Sequence, residues 1–298
     1  VTQPVFRFAP SPNGLLHLGH AYSALLNAEL AGRSGGRFLV RIEDVDPTRC
    51  RPEFEQAIYD DLAWLGLAWE EPVRRQSEHI VEYAARLDEL KSRGLVFPCF
   101  CSRKAIAAAV SAREAETAAP WRRDPDGAPL YPGICRDLGA AEAGRRIAAG
   151  AAHAWRLDIA AALAAASPRL AYRRLAPDAA ESVVAARPER WGDTVMARKE
   201  VPTSYHLSVV LDDAVQGVTH VVRGQDLEAA TDLHVLLQDL LRLPTPRYRH
   251  HPLIRDSEGD KLSKSLLSES LAELRARGVS AAEVRRRLGF EGHPTPST

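Results

Sequence analysis

Apolar positions alternate between two spacings along the first hundred residues. Val5–Ala9 is a short apolar-rich run, broken by Pro10, Pro12 and Gly14. Leu15 to Arg33 then carries Leu18, Ala21, Leu25 and Leu26 at helical spacing, and Gly35–Gly36 closes that stretch. Phe38–Ile42 reads as a second strand and is followed by Glu43, Asp44 and Asp46. Pro52 opens a helix marked by Phe54, Ile58, Leu62 and Leu65, and another helix is predicted from about Glu78 to Arg93. This alternation predicts an α/β fold, a Rossmann-like parallel sheet covered by helices.

Residues 102–190 have a weaker pattern, rich in Ala, Arg, Pro and Gly, and read as an inserted subdomain. Strands are predicted again at Tyr205–Leu211 and Thr219–Val222, a helix from about Asp226 to Arg242, and a last strand at Tyr248–Ile254. The expected organisation is residues 1–101 and 191–255 as two halves of one nucleotide-binding core. The insert lies between them, and 256–298 form a loop with a short helical segment. Lys plus Arg and Asp plus Glu number 39 each, so nucleic-acid contact would rest on local patches rather than on a global field. No apolar run approaches the ~18 residues of a membrane span, and the first ten residues lack a signal-peptide layout, so a cytoplasmic location and no membrane partner are expected.

Two short strings carry chemistry. His17-Leu18-Gly19-His20 sits where the first strand hands over to a helix. Helix N-termini attract anions, the two imidazoles add donors, and Gly19 leaves room for a close ligand. Lys261-Leu262-Ser263-Lys264-Ser265 follows the last strand, a basic loop suited to closing on a polyphosphate. Taken singly, each string reads better as solvated surface, two histidines with a packing glycine or a charged loop.

Together they resemble the HIGH and KMSKS signatures of class I aminoacyl-tRNA synthetases, with Leu18 for Ile and Leu262 for Met. Arg7–His20, Val40–Arg49, Ser204–Asp213, Gly217–Leu227 and the KLSKS string stand in the order seen in glutamyl-tRNA synthetases. The resemblance covers most of the chain and is weakest from about 136 to 190. It implies activation of L-glutamate by ATP, with Mg²⁺ screening the triphosphate. His17, Gly19, His20, Lys261 and Lys264 are implied in ATP binding, and His17, His20 and Lys264 as the catalytic set. Arg7, Ser11, Glu43, Tyr205 and Arg223 are implied around glutamate: two guanidinium forks for two carboxylates, one carboxylate for the ammonium, two hydroxyls. Which arginine reads the side-chain carboxylate is open at this point. Arg223 favours glutamate over glutamine, because glutaminyl relatives lack an arginine there. Gln225 departs from the acidic residue or alanine of many relatives.

Four cysteines in so long a chain are no disulfide framework. Cys99, Cys101 and Cys135 offer three thiolates for a structural Zn²⁺, with Cys50, His153 or Tyr131 as fourth ligand. Tyr131 matches a short subgroup of the family and is the expected choice, with Cys50 the alternative. The chain has only 33 residues after Ser265, where glutamyl-tRNA synthetases continue into an anticodon-binding region. That shortness resembles the glutamyl-Q tRNA(Asp) synthetases, which activate glutamate without tRNA and transfer it to queuosine in the anticodon of tRNA(Asp). A monomer is expected, docking the anticodon stem-loop through arginines such as Arg122–Arg123, Arg145–Arg146 and Arg285–Arg287. The competing readings are a truncated enzyme charging tRNA(Glu), and a non-catalytic relative that binds glutamate or RNA.

Overall fold

In a computed structural model of the chain, residues 3–254 and 269–290 are described. The KLSKS string, with Lys261 and Lys264, lies outside the described residues. The first third runs β1 (Val5–Phe8), α1 (Leu18–Arg33), β2 (Arg37–Ile42), α2 (Pro52–Trp64), β3 (Glu70–Arg75), α3 (Ile80–Ser92) and β4 (Val96–Cys99). The middle adds α4 (Arg103–Thr117), α5 (Ala140–Ala148), β5 (Ala154–Leu157), α6 (Ile159–Ala165), β6 (Ala171–Leu175), β7 (Glu181–Ala185) and β8 (Val195–Ala197). The chain then forms α7 (Tyr205–Val215), β9 (His220–Gly224), α8 (Ala230–Leu240), β10 (Arg247–His251), α9 (Leu271–Ala276) and α10 (Ala281–Arg287).

Seven strands form one sheet in the order β3-β2-β1-β9-β10-β6-β7, parallel except for the β6–β7 hairpin. Strands β4, β5 and β8 make a separate antiparallel sheet. The hairpin within 102–190 therefore extends the main sheet, while β4, β5 and β8 draw residues from both sides of that stretch together. Strand order reverses between β1 and β9, and in open α/β sheets the crevice at such a switch point is where ligands bind.

Strand alternation sorts the faces. Phe6, Phe8, Val40, Ile42 and Val222 pack with α1, α2, α9 and α10 on one side. Val5, Leu39 and Val221 turn to the other, toward α8 and Tyr248. Arg7, Arg41 and Arg223 share the parity of that second set, so three arginines project from one buried face.

Two expectations at the level of elements are corrected. Tyr205–Leu211 is the start of helix α7, not a strand. Ser204 caps it by accepting from the Leu207 N–H, and its residues 207–213 are all buried because the helix is enclosed nearly all round. Full burial erases the amphipathic signal that distinguishes a helix from an interior strand. Strand β3, Glu-Glu-Pro-Val-Arg-Arg, is not predicted by the apolar pattern, because it lies at a sheet edge and carries almost no apolar period.

Candidate active site

A cavity of about 500 Å³ opens at the carboxyl ends of β1 and β9. Arg7, Ser11, His17, Gly19, His20, Glu43, Tyr205 and Arg223 all line it, so every expected glutamate or ATP residue within the described chain faces one space. A second chamber of about 220 Å³ adjoins it through Ser11, Asn13, Glu43 and Tyr205.

His17 is the N-cap of α1. Its Nδ1 accepts from the Gly19 N–H at 3.1 Å, and the His17 N–H donates to Nδ1 of His20 at 3.2 Å. Each imidazole thus accepts through Nδ1, leaving the proton on Nε2 as an available donor. Burial lowers the pKa of His17; burial and the neighbouring His17 push His20 down to about 4. The pair is therefore a neutral set of donors at pH 7. Gly19 also has a local reason: a Cβ there would stand 3.0 Å from Cε1 of the capping His17 ring.

The second signature's flanks are anchored here. Leu253 and Ile254 line the cavity, and beyond the signature the Leu271 N–H donates to the Leu16 carbonyl at 2.8 Å while Ser270 bridges His17. Ser270 is six residues past Lys264, a span of at most about 20 Å in fully extended chain.

Across the cavity lies a charge network that the sequence reading missed. Asp213 of α7 takes Arg7 Nε at 3.0 Å and Arg41 Nη1 at 2.8 Å, and Arg41 also donates to Glu43 Oε1 at 3.2 Å. Asp212 receives Arg74 Nε at 2.8 Å, Gln76 Nε2 at 2.7 Å and the Tyr83 hydroxyl at 2.9 Å. Burial raises the Glu43 pKa against the pull of Arg41 and Arg7, whereas Arg7 and Arg41 together overcome burial and hold Asp213 low. An arginine inside the apolar run Phe-Leu-Val-Arg-Ile, and two aspartates ending Val-Val-Leu, were the available signals of buried ion pairs.

Arg223 is held differently. Nη1 donates to the Tyr205 hydroxyl at 3.3 Å and His234 Nδ1 at 3.2 Å, Nη2 to Thr231 Oγ1 at 2.8 Å, and Nε faces His250 Nε2 at 3.5 Å. Among the described residues no carboxylate lies within ion-pair distance of it. It is a buried guanidinium whose protein partners are all uncharged.

The cysteine cluster lies at the end of β4. The Sγ atoms of Cys99, Cys101 and Cys135 all stand within 4.8 Å of one another. The Tyr131 hydroxyl is 3.4 Å from Cys99 Sγ and 3.5 Å from Cys101 Sγ, and accepts from the Cys135 N–H at 2.8 Å. Tetrahedral zinc with Zn–S near 2.3 Å and Zn–O near 2.0 Å needs ligand edges of about 3.5–3.8 Å, so this donor set fits the ion. Cys50 is elsewhere: it lines the second chamber, its thiol 3.8 Å from the Glu43 carbonyl. The His153 ring packs on Phe100 and Trp155, with Nδ1 at the Ala151 carbonyl. Neither joins the three thiols. Of the surface arginines, Arg145 and Arg146 both pair with Glu142, Arg287 pairs with Glu283, and Arg123 donates to the Gly127 carbonyl.

The cavity thus lies at the switch point of the sheet, with a histidine-capped helix on one wall and buried arginines on another. The family described as "tRNA synthetases class I (E and Q), catalytic domain" matches residues 4–293, and the chain belongs to it. It is a ligase of the aminoacyl-tRNA synthetase type. Its relatives include the glutamyl-Q tRNA(Asp) synthetase of Rhodobacter capsulatus, 47% identical over 96% of this chain and all of that one. That of Thiobacillus denitrificans is 39% identical over 98% of this chain and 86% of its own. Among solved structures, a glutamate tRNA ligase from Elizabethkingia meningosepticum, crystallised with its amino acid, superposes with a TM-score of 0.73 at 25% identity. The match covers 88% of this chain and about half of that one, 52%. No helix among the described residues is long and apolar enough to cross a membrane.

Proposed function

We propose that the protein activates L-glutamate with ATP, without tRNA, and transfers the glutamyl group to queuosine in the anticodon of tRNA(Asp). A glutamate carboxylate oxygen attacks the α-phosphorus and pyrophosphate leaves. A hydroxyl of the acceptor nucleoside then attacks the adenylate carbonyl, losing its proton, and AMP leaves. His17 and His20 donate from Nε2 to the phosphates beside the α1 N-terminus, and Lys264 and Lys261 supply the positive charge that neutral imidazoles lack. Mg²⁺ accompanies ATP and screens the triphosphate.

The observation that carries the glutamate reading is the contrast between arginines. Arg7 is already paired with Asp213, whereas Arg223 is buried without a counter-carboxylate among the described residues, and Glu43 stands across the same cavity. A ligand carboxylate at Arg223 supplies the counter-charge that the described residues do not, while the ligand ammonium faces Glu43, which keeps its pairing with Arg41. Arg223 therefore reads the side-chain carboxylate, with Ser11 and Tyr205 as hydrogen bonders. Zn²⁺ on Cys99, Cys101, Tyr131 and Cys135 is structural, pinning the loop between α4 and α5. The exposed, ion-paired arginines Arg145, Arg146 and Arg287 can exchange a weak partner for RNA phosphates of the anticodon stem-loop at little cost.

The test is transfer of labelled glutamate to purified tRNAs. Labelling of queuosine-containing tRNA(Asp), and not of tRNA(Glu) or of tRNA(Asp) lacking queuosine, is expected. Charging of tRNA(Glu) instead would establish a conventional synthetase.

A further inference from the structure

Three histidines surround Arg223, and none belongs to the signatures. His234 of α8 is buried, with Nδ1 at Arg223 and Nε2 at 3.2 Å from Nδ1 of His206 on α7. His250 of β10 meets Thr231 Oγ1 through Nε2 at 3.1 Å. The proton positions follow from the chemistry of the donors. A guanidinium only donates, so His234 Nδ1 accepts and its proton sits on Nε2, where it is given to His206. His206 in turn accepts on Nδ1, and its ring packs against Trp191 in a T-shaped contact. Thr231 accepts from Arg223 and passes its own hydrogen to His250 Nε2.

These bonds occupy four of the five N–H groups of Arg223, leaving one on Nη2. A carboxylate at position 234 would hold the guanidinium as firmly, as Asp213 holds Arg7, but would also cancel its charge toward the cavity. A neutral imidazole fixes the fork and leaves the charge for the ligand.

We propose that His234, backed by His206, is the positioning residue that sets the preference for a carboxylate over a carboxamide at the far end of the substrate. This rests on the glutamate reading of the site. Burial and the Arg223 charge hold His234 far below the usual histidine range, in keeping with an acceptor that stays neutral.

The test compares two isosteric variants. H234N retains an acceptor near the Nδ1 position; H234D places a carboxylate there. Pyrophosphate exchange with glutamate and with glutamine separates KM from kcat for each. For H234D we expect a glutamate KM raised about 100-fold, a glutamate-to-glutamine ratio reduced by a similar factor, and an unchanged KM for ATP. H234N should retain the discrimination. Equal glutamate KM values in the two variants, or an undiminished ratio in H234D, would overturn the proposal. Should both variants fail to fold, ¹⁵N spectra of the unaltered protein decide it. His234 must show a bare Nδ1 and protonated Nε2 at pH 7.5, with and without glutamate, and a protonated Nδ1 overturns the assignment. If the unaltered protein shows no exchange with glutamate at all, the reading of the site fails, which is a different result from these.

Discussion

Replacing Arg41 by methionine tests whether the buried ion network holds the site together. The buried part of the cluster joins three cations, Arg7, Arg41 and Arg74, to three anions, Glu43, Asp212 and Asp213, and Arg74 also reaches the exposed Glu82. Arg41 is its centre: fully buried, it reaches Asp213, Glu43 and Gln216 and lies 3.8 Å from Asp212. Methionine approximates its volume but leaves one buried negative charge without a partner. Removing one member of a buried pair costs about 3–5 kcal/mol, a large part of the ~5–15 kcal/mol that stabilises a typical fold. At roughly 2–4 °C per kcal/mol for chains near this size, Tm should fall by about 6–20 °C. The control is Arg37→Ala, which breaks the exposed Arg37–Glu70 pair and should cost less than about 1 kcal/mol. Urea unfolding of both variants measures the difference. A double variant, Arg41→Met with Glu43→Gln, removes the orphaned carboxylate and should recover about 1 kcal/mol or more. A loss below about 1 kcal/mol for Arg41→Met would refute the reasoning, because the network would then be no more than a set of solvated pairs.

Asp61, buried on α2, receives no hydrogen bond from a described residue and has only Arg275 of α9 at 3.5 Å. Burial, partly offset by Arg275, pushes its pKa up to about 6. Its contribution to stability is therefore complete below the ordinary carboxylate pKa of about 3.9 and is lost as pH rises through about 6. The gain from Asp61→Asn should be larger at pH 8 than at pH 4.5 by about 2 kcal/mol, read by thermal melts at the two values. The histidines act in the opposite sense: burial and Arg223 depress His206 to about 4, and these with neighbouring charges depress His250 to about 3. Their stabilisation is whole above about pH 6.5 and lost as pH falls toward those values, so unfolding free energy should drop by about 2 kcal/mol per group between pH 8 and pH 5. A flat profile over that range in the Asp61→Asn background would contradict the neutral assignment. Elemental analysis should find about one zinc per chain, and Cys135→Ser should lose the metal and lower Tm. Full zinc in that variant would remove Cys135 from the ligand set.

What was legible in the sequence depended on distance along the chain. Strand β1, helix α1 and the turn between them are local, so spacing and Pro-Gly punctuation expose them, and Arg7, His17 and His20 follow from the signature they carry. Arg41, Asp212 and Asp213 are equally central, yet nothing local pairs them. Their meeting depends on β2 lying beside β1 and α7 packing on the same face. The same holds for His206, His234 and His250, which come from three elements to one guanidinium. Helix α7 was hidden by being buried on every side, and β3 by being polar. Tyr131 needed the family resemblance, because chemistry alone ranks cysteine or histidine above tyrosine as a zinc ligand, and the structure then brings its hydroxyl to the thiols.

The most direct measurement is exchange of labelled pyrophosphate into ATP by the purified protein with no tRNA present. Glutamate should support it, glutamine should not, and Lys264→Ala or Arg223→Gln should abolish most of it. Exchange that requires tRNA, that runs equally with glutamine, or that persists undiminished in both variants would contradict the account.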